Sequence, residues 1–93
     1  MDRLPSLTAV RYFAVAARLL SFTAAARELN VTQGAVSRMV QALEQELGTP
    51  LFARNGRFIT LTPAGEQYSA AVSAALRAIE AASNAARQTT ANE

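Results

Sequence analysis

Apolar positions recur at three- and four-residue spacing along most of the chain, and the places where that spacing fails divide it into five segments. Leu7, Val10, Phe13, Ala14 and Ala17 fall on one face of a helix over 7–19, with Ser6 as its N-cap. A short second helix over about 23–29, opened by Ser21 or Thr23, turns Ala25, Ala26 and Leu29 inward. Asn30 follows where the chain must reverse, and asparagine tolerates the left-handed conformation that such a reversal uses. Thr32 then caps a third helix over 33–47, whose buried stripe is Val36, Val40, Leu43 and Leu47. Gly48 ends it and Pro50 prevents its resumption.

Over 51–61 the period changes. Leu51–Arg54 and Arg57–Leu61 flank Asn55-Gly56, a dipeptide favoured at the centre of two-residue hairpin turns, so a small two-stranded wing is expected. Thr62-Pro63 reads as N-cap and first helical residue. From there nothing breaks a helix until about residue 88, and the tail 89–93 is expected to fray. Along this last helix Tyr68, Val72, Leu76 and Ile79 form one stripe, flanked by Ala71, Ala75, Ala78, Ala82 and Ala86. The stripe is too apolar to face water over such a length, and small residues allow close helix approach. Tyr68, Val72, Leu76 and Ile79 are therefore candidate dimerisation residues, against the alternative that the helix folds back on its own domain. The expected fold is mainly α: a winged helix-turn-helix of three helices and a small wing over 1–62, then a long linker or dimerisation helix over 63–88.

Composition narrows the chemistry. The chain has 93 residues, no cysteine and no histidine, which excludes disulfides, thiolate zinc sites, thiol nucleophiles and Ser-His-Asp catalysis. The carboxylates are scattered, with no acid–base pair or metal cluster to nominate, and Glu44 and Glu46 read as helix-surface charges. No catalytic residue and no metal site are assigned. Residues 12–17, the longest early apolar run, are bracketed by Arg11 and Arg18 and too short to span a bilayer, so a cytoplasmic protein without membrane contact is expected.

The net charge of +2 conceals a division along the chain. Residues 1–62 carry seven arginines against four acids, a net +3, whereas residues 63–93 carry two against three, a net −1. There is no lysine, and the flat arginine fork suits guanine edges and phosphates. Phe22–Val40, FTAAARELNVTQGAVSRMV, has the helix, turn and helix of a major-groove reader. Its second helix turns Gln33, Gly34, Ser37, Arg38 and Gln41 outward, with no acid before Glu44. Gln pairs with adenine, Arg with guanine, and Ser with base or phosphate, whereas an ordinary solvated face mixes Lys and Glu from its first turn. Ser21, Thr23, Thr32 and Gln41 are assigned to the DNA backbone. Arg54 and Arg57 flank the hairpin turn, where a wing reaches the adjacent minor groove.

These residues resemble the N-terminal DNA-binding region of LysR-type transcriptional regulators. The resemblance rests on Leu7–Phe13, Ser21–Ala26, Val31–Arg38, Ala42-Leu43-Glu44, Glu46-Leu47-Gly48, Pro50-Leu51-Phe52 and Leu61–Gly65, in order and at the family's spacing. It implies a homodimer through the long helix, of higher order in the full-length protein, bound to inverted repeats in double-stranded DNA near promoters. The family's base-contacting positions match Gln33, Gly34, Ala35, Ser37 and Arg38, and its minor-groove wing arginine matches Arg57. Many members carry prolines where Gly34 and Ala35 stand, which alters contacts to thymine methyls. The resemblance also implies a following effector-binding domain of two α/β lobes that this chain does not include. A small-molecule effector is expected there, and no cofactor within the chain. Non-specific chromosome packing and a helical protein-interaction module are the competing readings; the second leaves the wing without a purpose.

Overall fold

The computed structural model describes residues 3–91. Along them run α1 (Leu7–Leu19), α2 (Phe22–Leu29), α3 (Gln33–Leu47), β1 (Phe52–Asn55), β2 (Phe58–Leu61) and α4 (Pro63–Ala91). This is the winged helix-turn-helix with a long last helix that the sequence predicts.

The N-caps of α1, α2 and α3 are hydroxyls, each accepting from the backbone N–H three residues on: Ser6 from Ala9, Ser21 from Ala24 and Thr32 from Ala35. Left-handed residues end the same helices: Leu20 (φ 50°), Asn30 (φ 61°) and Gly48 (φ 78°). Asn30 and Gly48 are types that accept this conformation cheaply; Leu20 is not, and nothing in its residue type marks it as a helix stop. Its N–H nevertheless closes α1 by donating to the Ala16 carbonyl at 2.7 Å.

The core lies where α1, α2 and α3 cross, with Phe13, Val36, Val40, Leu43 and Leu51 wholly enclosed. Two expected core residues are displaced from it. Leu7 is 59% exposed, because α1 buries Ala9, Val10, Phe13, Ala16 and Ala17, a face rotated from the one a stripe begun at Leu7 defines. Leu47 is exposed at the last turn of α3, and Leu51, beyond the Gly48 reversal, is buried instead.

The wing differs in its turn. Asn55 pairs with Phe58, so Gly56 and Arg57 form the two-residue loop and Asn55 closes β1. Positive φ occurs at Gly56 (62°) but at neither Asn55 nor Arg57. That is the pattern of a type II′ turn with glycine at its first central position, rather than a type I′ turn centred on Asn-Gly.

Helix α4 packs on α1 and β2. It continues to Ala91, past the expected end at residue 88 and through the first part of the tail expected to fray. Its alanine-rich sequence has high helix propensity, and the Ser83 and Thr89 hydroxyls are satisfied within the helix, donating to the Ile79 and Ala85 carbonyls rather than competing for the backbone N–H groups. The end of the expected tail, residues 92 and 93, lies outside the described residues.

The start of α4 is stitched to the chain entering the wing. The Thr62 N–H donates to the Leu51 carbonyl at 3.0 Å, and the Thr62 hydroxyl donates to the Pro50 carbonyl at 2.8 Å while accepting from the Gly65 N–H at 3.0 Å. Gly65 is required by this approach. A Cβ there would stand 2.0 Å from the Leu51 carbonyl oxygen, which is backbone and has little room to give. Gly65→Ala is expected to lower stability by about 1–3 kcal/mol through overpacking, read from urea denaturation. An alanine variant as stable as the parent would show that this junction is loose.

Candidate nucleic-acid interface

The outward face of α3 begins at its N-terminus. Gln33, Gly34, Arg38 and Gln41 are exposed, and Ala35 and Ser37 are half-buried between them and the core. Long side chains on a helix lean toward its N-terminus. Arg38 does so: a Cβ built on Gly34 would lie 3.2 Å from its Nη1. The absent side chain thus leaves the guanidinium lying over the first turn. Gln33 is held from the other side, its Oε1 accepting from the Thr23 hydroxyl at 3.2 Å.

The helix-turn-helix is tight because its connection is satisfied. The Asn30 and Val31 N–H groups donate to carbonyls at the end of α2, and Thr32 immediately caps α3. Of the residues assigned to the DNA backbone, Ser21 and Thr32 thus already accept one hydrogen bond each as caps, Thr23 supports Gln33, and Gln41 lies exposed on α3.

The two wing arginines part company. Arg57 stands in the loop at the tip. The Arg54 guanidinium lies over the Phe22 ring, 5.4 Å from its centroid, a cation–π contact that holds it against the base of α2. Neither they nor Arg38 have a carboxylate within ion-pair distance among the described residues, whereas Arg18 is paired with Glu28 away from this face. Gln33, Thr23, Arg54 and Arg57 line one open groove of about 390 Å³ between the helix-turn-helix and the wing. The structure therefore brings the start of the recognition helix and the wing arginines to one surface.

It does not keep the candidate dimerisation stripe together. Tyr68, Val72 and Leu76 are half-buried against their own domain, the Tyr68 ring 5.4 Å from that of Phe13. Burial, and then the nearby Glu46 carboxylate, push the Tyr68 phenol above its ordinary range, so it stays protonated at neutral pH. Of the four, only Ile79 is fully on the surface, 49% exposed, together with Ala71, Ala75, Ala78 and Ala82.

One residue read as a plain surface charge has a structural task. The half-buried Glu44 carboxylate accepts from the Leu51 N–H at 2.8 Å and the Phe52 N–H at 3.2 Å, tying α3 to the first residues of the wing. The available signal was the reversal itself. Gly48 and Pro50 leave the following N–H groups without helical partners, and a carboxylate stands one turn upstream.

Comparison with known proteins gives the family. Residues 7–66 match the family model described as bacterial regulatory helix-turn-helix protein, lysR family. The chain belongs to the lysR family. It is 42% identical over 88 residues to the AhcY transcriptional activator HvrB of Rhodobacter capsulatus, covering 95% of this chain and 30% of that protein. It is 54% identical over 66 residues to the glycine cleavage system transcriptional activator of Escherichia coli, covering 71% of this chain and 22% of that protein. Among solved structures, the BenM DNA-binding domain in complex with benA site 1 DNA superposes with a TM-score of 0.86 at 30% identity, covering 95% of this chain and 99% of that one. The chain thus spans less than a third of the length of these curated relatives. It is a DNA-binding domain of a transcription regulator family, not an enzyme.

Removing the Glu44 carboxylate should loosen the wing against the recognition helix. Glu44→Ala is expected to cost about 1–3 kcal/mol, because it leaves two backbone donors without a partner. Amide exchange should accelerate at Leu51 and Phe52 more than in α1. Uniform acceleration across the domain would instead mean that Glu44 supports the whole fold.

Proposed function

We propose that this lysR-family domain binds double-stranded DNA as a homodimer at an inverted-repeat promoter site and so regulates transcription. Helix α3 enters the major groove, where Gln33, Gly34, Ala35, Ser37 and Arg38 meet base edges, and Arg57 enters the adjacent minor groove. The observation that carries this reading is the shared groove, with Gln33 on one side and Arg54 and Arg57 on the other, and no carboxylate among the described residues paired with either arginine. Arg54, fixed over Phe22, is suited to a phosphate rather than a base. Ser21, Thr23, Thr32 and Gln41 flank the same surface and serve the backbone.

Dimerisation is assigned to α4, but to a different face from the one the sequence stripe suggests. Ile79 and the exposed alanines are available, and a helix of 29 residues extends about 44 Å. A two-fold dimer on such a helix suits half-sites about one DNA turn, roughly 34 Å, apart. A cytoplasmic setting is part of the same proposal, since the target is duplex DNA; among the described residues no helix is long and apolar enough to cross a membrane.

The deciding experiment is selection of bound duplexes from a randomised pool, followed by titration at several salt concentrations. One inverted-repeat sequence should be enriched, with affinity falling steeply as salt rises. Enrichment of nothing, or equal affinity for random duplex, would remove sequence-specific recognition. On the selected duplex Arg38→Ala should cost about 1–3 kcal/mol and relax preference at one base position. Arg57→Ala should weaken binding more where the flanks are A·T-rich than where they are G·C-rich, because narrow minor grooves concentrate negative potential. Sedimentation should show a dimer for the parent and a monomer for Ile79→Glu, with Val72 and Leu76 left intact because they belong to the domain's own core.

A further inference from the structure

The groove between the helix-turn-helix and the wing has polar and apolar walls. Thr23, Gln33, Arg54 and Arg57 supply the polar side; Leu20 and Phe58 supply large apolar side chains at the same opening. Phe58 is 73% exposed. Phe22, which also lines the groove, stacks edge to face with Phe52 at 5.3 Å, whereas Phe58, paired with Asn55 across the hairpin, makes no such ring contact among the described residues. Leu20 is 47% exposed and sits at φ 50°, where glycine or asparagine would carry less strain. Both side chains are thus left exposed at one opening, beside the polar wall.

The geometry of a duplex supplies an occupant. A major groove and the neighbouring minor groove are separated by a single sugar–phosphate strand. A protein that puts α3 into one and Arg57 into the other must seat that strand in the cleft between them. We propose that Leu20 and Phe58 clamp the deoxyribose faces of this strand, while Arg54 and Thr23 face its phosphates. The inference rests on the groove assignments proposed above. A deoxyribose presents C–H surface and lacks the 2′-hydroxyl, so an apolar wall at that point fits DNA and resists RNA. The contact is continuous with the reading surface, releases no counterion and carries no base information. It raises affinity for any duplex and fixes the depth at which α3 and the wing sit.

Phe58→Ala tests the clamp without threatening the fold, since the side chain is largely in water. Its thermal midpoint should match the parent. Affinity for the selected duplex and for random duplex should both fall about tenfold, with the slope of log affinity against log salt unchanged; Arg54→Ala should instead reduce that slope by about one. Leu20→Gly gives the second arm: the left-handed strain it relieves offsets the partly buried side chain it removes, so the midpoint should stay close to the parent's while affinity falls. A single ribonucleotide moved along the bound strand should weaken the parent several-fold at one or two positions and leave Phe58→Ala unaffected there. Parental affinity in Phe58→Ala, a changed salt slope, or ribonucleotide penalties that persist in the variant would overturn the clamp. If the parent selects and binds a duplex while Phe58→Ala matches it, only the clamp falls; if the parent binds no duplex, the DNA reading falls with it.

Discussion

Phe13 is the point at which the separate parts of this domain become one body. It lies on α1, wholly enclosed, with its ring 5.4 Å from Phe52 at the start of the wing and 5.4 Å from Tyr68 on α4. Phe52 in turn meets Phe22, the first residue of α2, edge to face. Four aromatic rings from four elements thus share one contact network. Tilted and edge-to-face pairs are orientation-dependent as well as apolar, so the cluster fixes angles and not only distances. The wing is a two-stranded ribbon that would be marginal alone, and it is rigid because its first residue is locked into this network.

Polar ties refine what the rings set. Glu44 holds Leu51 and Phe52 to α3, and Thr62 holds Pro50 and Leu51 to α4, so the short stretch 50–52 is gripped from both sides. The charges are distributed to match. Arg18 is consumed by Glu28, Arg54 is pinned on Phe22, and Arg38 and Arg57 are left to face outward at the two ends of the reading surface. Thr23 supporting Gln33 continues the pattern: side chains on the proposed reading surface are positioned by neighbours within the domain itself, which would reduce the entropy lost on binding.

Helix α4 serves two surfaces. Its first turns complete the core through Tyr68, Val72 and Leu76, and the alanine-lined face with Ile79 remains outside. An orientation set at the Phe13 cluster is thereby carried along the helix.

Sequence alone determined the elements. Hydroxyl caps at Ser6 and Thr32, the stops at Asn30 and Gly48 and the Thr62-Pro63 start are local chemistry, legible because each depends on residues within one turn. The exposure of Gln33, Gly34, Arg38 and Gln41 on α3 was equally legible, since helix geometry fixes which positions lie together. Tertiary structure decided what depends on distant partners. Leu7 and Leu47 leave the core because neighbouring helices choose which face is covered. Tyr68, Val72 and Leu76 fold back because α1 offers them a surface that no periodicity in α4 reveals. The turn moved to Gly56-Arg57 because strand register is settled by pairing across the hairpin. Glu44, Gly65 and Phe58 share that reason: each has a role, or lacks a partner, only by virtue of chain that lies across a turn or a strand from it.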